Sequence, residues 1–139
     1  MAKEADPAGI IRAAIDAGKT VAVPVIDWDL RRIKPAILKS LTDGLEKDRY
    51  GILTPIDPEF IPASRIDVVI VPGLGFDKNC NRLGRGGGFY DKFLSDDTLK
   101  AVKCGFAFSV QVLDEIVVSE YDIKMDCIIT ELWKHTDKK

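Results

Sequence analysis

The chain has 139 residues, of which 46% are hydrophobic and 30% charged, and a formal net charge of −2. That mix is expected of one globular domain with a buried core rather than of a disordered or membrane chain. The near-neutral balance gives no broad basic field for nucleic acid, and no apolar run approaches the roughly 20 residues that span a bilayer. Cys80, Cys104 and Cys127 are far apart, form no CxxC pair, and with the single His135 build no zinc site; free thiols in a reducing compartment are expected. The N-terminus carries no cationic and apolar cleavable signal, so a cytoplasmic location is expected.

In chain order, Asp6-Pro7 signals a helix start, with Ile10, Ile11, Ala14 and Ile15 on one face and Gly18 as a stop. Thr20–Ile26 reads as a buried strand in which Pro24, lacking a donor, should lie near the end. Leu30, Ile33, Ile37, Leu38 and Leu41 recur at helical spacing, which predicts a short helix from Pro35. Asp48–Arg65, with Pro55, Pro58 and Pro62, reads as a long surface connection. Ile66–Val71 is continuously apolar but for Asp67 and rich in β-branched residues, as in a strand covered on both faces, and Pro72 ends it. Gly87–Leu94 predicts a helix, and Ala101–Phe108 and Asp126–Thr130 predict strands. Residues 1–133 thus read as one α/β domain, a three-layer open sheet, mostly parallel, with helices on both faces; 134–139 read as a frayed polar tail.

Pro72–Asp91 (PGLGFDKNCNRLGRGGGFYD) is unlike an ordinary connection, because Gly73–Gly88 holds six of the eleven glycines. Gly84, Gly86, Gly87 and Gly88 lack Cβ atoms, so their backbone N–H groups can approach phosphate oxygens closely. Arg82 and Arg85 add fork-shaped cationic donors, and Asp91 a hard oxygen suited to Mg²⁺ shared with phosphates. The segment follows the clearest strand, where ligands bind in open α/β sheets. It matches neither GxxxxGK[ST] nor GxGxxG, since Phe89 stands where the third glycine would fall. The plainer alternatives are arginines paired to Asp77 or Asp91, an Asp91 that caps its helix, and an Asp122 that merely completes a turn.

The run VPGLGFDKNCNRLGRGGGFYDKFL resembles the signature of the 5-formyltetrahydrofolate cyclo-ligase, or methenyltetrahydrofolate synthetase, family. Gly18–Ile26, Gln111 and Ser119–Glu131 (SEYDIKMDCIITE) extend the likeness over nearly the whole chain. The resemblance implies an ATP- and Mg²⁺-dependent closure of 5-formyltetrahydrofolate to 5,10-methenyltetrahydrofolate, through phosphorylation of the formyl oxygen. It implies that Arg82, Leu83, Gly84, Arg85, Gly86, Gly87, Gly88, Phe89 and Tyr90 bind the nucleotide, with Arg85 and Tyr90 taking part in catalysis. Arg85–Phe89 would also border the folate, Glu4 would bind its pterin, and Asp91 and Asp122 would hold magnesium. Phe89 and Tyr90 offer flat walls for pterin or adenine.

The family pattern is also broken. Its helix bearing a Lys and an Arg that contact ATP phosphates, and a further sheet strand, precede the glutamate matched by Glu4. Their absence from this sequence predicts weaker charge neutralisation and an uncovered sheet edge that favours a homodimer or a partner chain. Phe89, Tyr121 and Thr54 stand where Tyr, His or Asn, and Glu are common in the family. Two functional classes follow: the enzyme, or a catalytically impaired nucleotide- and folate-binding paralogue that needs a partner.

Overall fold

The computed structural model describes residues 5–48 and 51–136. The chain divides into two compact units, Asp6–Arg65 and the portion from Ile66 onward. In the first, helix α1 (Ala8–Asp16) starts where the sequence signals it, the Ala8 N–H donating to Asp6 Oδ1 at 2.9 Å. Gly18, at φ +77°, follows the helix in the left-handed region. Strand β1 (Ala22–Asp27) pairs antiparallel with β2 (Arg32–Ile37), and β3 (Leu45–Lys47) with β4 (Leu53–Pro55). A 3-10 turn at Ala63–Arg65 closes the unit.

Three expectations fail here. The helix expected from Pro35 is instead β2, the return strand of a hairpin. Lys34, preceding a proline, is biased toward extended backbone. Asp27 Oδ1 accepts the Leu30 N–H at 3.0 Å, and Arg31 turns the chain at φ 52°. Pro24 lies within its strand rather than near the end, directly opposite Pro35. Two residues without N–H groups can face each other only at a non-hydrogen-bonded pair, so the ladder loses nothing there. The outer edge of β2 meets Glu59–Ile61, where Ile37 N–H donates to Glu59 O and Ile61 N–H to Pro35 O. The presumed connection 48–65 therefore contains β4, a bridge at Phe60 and a 3-10 turn.

The second unit contains strands β5 (Val68–Val71), β6 (Gly75–Asp77) and β7 (Arg82–Leu83), helix α2 (Phe89–Leu94), then β8 (Val102–Phe106), β9 (Val112–Leu113), β10 (Cys127–Ile129) and β11 (Lys134–Thr136). A four-stranded sheet runs β11-β10-β8-β5, with β10, β8 and β5 parallel and β11 antiparallel; a second runs β7-β6-β9. The fold is mixed α/β, with a sheet that is parallel across β10, β8 and β5. Parallel order is confined to the second unit, since both ladders of the first are antiparallel. Lys134–Thr136, expected to fray, pairs with β10, its backbone engaged despite polar composition. β5 is an edge strand with Val68 54% exposed, so Ile66–Val71 is not covered along its whole length; only Val71 is fully enclosed.

The core of this unit gathers Val71, Phe76, Cys80, Cys104, Met125 and Ile128. Phe76 enters because Gly73 and Gly105 leave room: a Cβ on Gly105 would lie 2.6 Å from its ring, and one on Gly73 2.9 Å. All three cysteines are free and buried. Cys104 and Cys127 sit opposite each other on β8 and β10, and burial followed by the neighbouring Cys127 thiol pushes Cys104 up to about 12, leaving it an unreactive thiol. Among the described residues no helix is long and apolar enough to cross a membrane.

Candidate functional site

The Pro72–Asp91 segment folds as a hairpin stem followed by a loop. β6 and β7 pair through Gly75↔Leu83 and Phe76↔Arg82, and Lys78–Asn81 turn between them. Asp77 builds that turn. Fully buried, it accepts N–H groups from Asn79 and Asn81 at 2.9 Å, the Asn81 side chain at 3.0 Å and Ile116 at 3.0 Å. Burial raises its pKa, but the donors from Asn81, Ile116 and Asn79 outweigh this and hold it below the ordinary 3.8. Asp77 is therefore no partner of the arginines. Asx-turn chemistry in Asp77-Lys-Asn-Cys-Asn81 was the sequence signal that could have revealed it.

Gln111 is a second anchor. Its side chain is buried and donates to Leu74 O at 3.2 Å and Gly73 O at 3.4 Å, while its oxygen accepts the Phe108 N–H at 2.9 Å. The 3-10 turn Ser109–Gln111 that carries it is held by Glu131, which accepts the Ser109 hydroxyl and N–H; these bonds keep the exposed Glu131 carboxyl below its ordinary range.

On this base stands the glycine loop. Arg85, Gly86, Gly87 and Gly88 are exposed, and Gly86 (φ +93°) and Gly88 (φ +73°) take left-handed backbone that other residues rarely adopt. Nothing lies within 4 Å of a Cβ built on either. Among the described residues no hydrogen bond engages the N–H of Gly86 or Gly88. These two amides are therefore open to an incoming acceptor. Helix α2 starts from Gly88 and carries half-buried Phe89 and Tyr90, followed by Asp91.

The arginines behave differently. Arg85 is exposed on the loop, whereas the Arg82 side chain is 7% exposed. Arg82 Nη1 donates to Pro72 O at 3.1 Å, which ties the loop to the carboxyl end of β5. Its Nη2 lies 3.6 Å from Asp91 Oδ2, and its guanidinium carbon 5.5 Å from the Tyr90 ring centre. The other Asp91 oxygen accepts the Ile123 N–H at 3.2 Å, which brings Asp122 to within one residue of that contact. Asp122 Oδ2 accepts the Ser119 N–H at 2.8 Å, so it also completes a turn. Glu4 lies outside the described residues.

Asp91 and Asp122 are thus brought to one neighbourhood by the Ile123 bond. Mg²⁺ takes one or two protein carboxylates and completes its shell with phosphate and water. Among the described residues no group of three or more His, Cys, Asp and Glu side chains is gathered around a metal position. The donor set fits an ion shared with a polyphosphate rather than one caged by protein.

The sequence profile of the 5-formyltetrahydrofolate cyclo-ligase family matches residues 1–131. The chain belongs to that family. It is 30% identical to the Mus musculus 5-formyltetrahydrofolate cyclo-ligase over 141 aligned residues, covering 94% of this chain and 70% of the mouse protein. It is 37% identical to the Escherichia coli (strain K12) cyclo-ligase over 79 residues, 55% of this chain and 43% of that one. Against the NMR structure of Aquifex aeolicus 5,10-methenyltetrahydrofolate synthetase the TM-score is 0.81 at 27% identity, covering 98% of this chain and 67% of that one. The Mycoplasma pneumoniae synthetase, at 22% identity and TM-score 0.66, shares the fold. This member of the cyclo-ligase family thus aligns with 43% of the Escherichia coli relative and 70% of the mouse relative.

Proposed function

We propose that the chain is an ATP- and Mg²⁺-dependent 5-formyltetrahydrofolate cyclo-ligase. One observation carries the reading beyond family membership: the exposed glycine loop, with the Gly86 and Gly88 amides unoccupied, stands beside Asp91 and the Asp122 segment. The backbone of the loop from Arg82 to Tyr90 wraps the triphosphate, and the exposed Arg85 offsets the charge that builds on the transferring phosphoryl group. Asp91 and Asp122 hold the magnesium ion, which supplies charge neutralisation at the phosphates. Arg85–Phe89 border the folate on the other side of the same loop, and Tyr90 contributes a flat wall. The γ-phosphoryl group moves from ATP to the formyl oxygen as its bond to the β-phosphate breaks and ADP leaves; N10 then bonds to the formyl carbon and loses its proton, and the C–O bond breaks to release phosphate. An amide-like oxygen is a poor leaving group until phosphorylated, so the chemistry calls mainly for alignment.

Folded protein incubated with 5-formyltetrahydrofolate, ATP and Mg²⁺ is expected to accumulate methenyltetrahydrofolate, read by its absorbance. Absence of product at high protein concentration rejects the reading. A second reading, a paralogue that binds nucleotide or folate without turnover, is favoured by the enclosure of Arg82, which leaves fewer loop cations for phosphate. Calorimetric binding of ATP or folate in a preparation that forms no product would select it.

A further inference from the structure

We infer that Arg82 is a positioning residue that sets the Asp91 carboxylate, and that its side chain is not a ligand of the triphosphate. The inference deepens the proposed function, because it rests on Asp91 as a metal-holding residue.

The enclosure of Arg82 is nearly complete. Pro72 O takes one terminal nitrogen, Asp91 Oδ2 faces the other, and Tyr90 lies against the guanidinium. Gly84 passes close by: a Cβ built there would stand 2.9 Å from Nη1 and 3.0 Å from Nη2. A charge-assisted bond to phosphate needs a separation of about 2.8 Å, and the Arg82 side chain, with its terminal nitrogens turned to Pro72 O and Asp91, is only 7% exposed. Any residue but glycine at position 84 would displace the guanidinium. The exposed arginine of the pair is Arg85.

Asp91 is gripped from two sides. Arg82 approaches Oδ2 and the Ile123 N–H approaches Oδ1, so the rotation of the carboxylate about its last bond is fixed. A metal-holding carboxylate gains from such partners, which set the direction of its remaining lone pairs. Arg82 is also less than saturated: its buried Nε has no hydrogen-bond partner. Here a single side chain joins the end of β5, the start of the glycine loop and the acidic residue of α2.

Two measurements on the full chain test this, comparing the parent with Arg82→Gln and Arg82→Lys. The first is calorimetric ATP binding with EDTA present, where no metal contributes and a phosphate donor must still matter. The second is amide hydrogen exchange at Ile123 in the unliganded protein. Arg82→Gln is expected to leave the metal-free ATP Kd within about twofold of the parent while Ile123 exchanges about tenfold faster. Arg82→Lys keeps the charge but has one nitrogen to serve both Pro72 and Asp91, so its Ile123 exchange falls between the two. A tenfold weaker metal-free ATP Kd in Arg82→Gln overturns the inference and makes Arg82 a phosphate ligand. Parental Ile123 exchange in Arg82→Gln overturns it as well. If Arg82→Gln does not fold, Arg82→Lys decides by the same exchange reading, parental protection again being fatal. A parent that binds no ATP defeats the proposed function instead, and the Ile123 result still judges the contact between Arg82 and Asp91.

Discussion

The hairpin stem and the loop above it use glycine for opposite purposes. At Gly73, just before the stem, and at Gly105 of the neighbouring strand β8, the missing Cβ makes room for the Phe76 ring of the stem, so the vacancy serves packing. At Gly86 and Gly88 no atom takes the space, and what matters is a left-handed backbone with open N–H groups. Glycine density alone does not distinguish the two. The distinction depends on what occupies the volume a side chain would claim: in the stem it is the core, and at the loop, where we propose that a ligand binds, it is open space.

The sharpest way to break this comparison is Gly105→Ala, whose new methyl would overlap Phe76 at 2.6 Å. It is expected to cost about 3 kcal/mol in urea unfolding, at the upper end for overpacking a core. A loss below about 1 kcal/mol would mean that the stem yields easily and is not a rigid base. Next in size is Asp77→Asn, which leaves donors without their carboxylate and is expected to cost about 2 kcal/mol at neutral pH. This contribution depends on pH. Asp77 titrates below its ordinary 3.8 in the fold, so its stabilisation is complete above that value and is lost as pH falls through the folded pKa. Acid unfolding curves of parent and Asp77→Asn should therefore converge below pH 3.8 and separate above it. Parallel curves throughout would remove Asp77 from the account.

How much of this was legible in the sequence follows from what kind of signal each element gives. Helix α1 announced itself through Asp6-Pro7, and β5, β8 and β10 through apolar runs too short for helices. The loop was legible because its glycines interleave with arginines. β2 was misread because Ile33 and Ile37 fit a helical period, and only the pairing with β1 makes them a strand. β11 gave no apolar signal at all; its order comes from the edge of β10. The site was legible in composition but not in wiring. The sequence offers pairing of the arginines with Asp77 or Asp91 only as an alternative; that Arg82 pairs with Asp91 depends on how the hairpin turns the loop back onto α2.

The smallest expected effect on stability sharpens the comparison from the other side. Gly86→Ala adds a methyl in open space at φ +93° and is expected to cost about 1 kcal/mol through backbone strain alone. ATP binding should nevertheless weaken in this variant, and should be spared in a stem variant that still folds. If binding is untouched by Gly86→Ala, the loop backbone is not the cradle.

The central claim is that loop amides bind the triphosphate, and an amide-resolved NMR titration of the parent with a non-hydrolysable magnesium–ATP analogue tests it most directly. The account predicts the largest shifts at Gly84, Gly86 and Gly88 and around Asp91, with Gly73, Gly75 and Gly105 nearly still. Saturating nucleotide that leaves the 84–88 amides unmoved would contradict it.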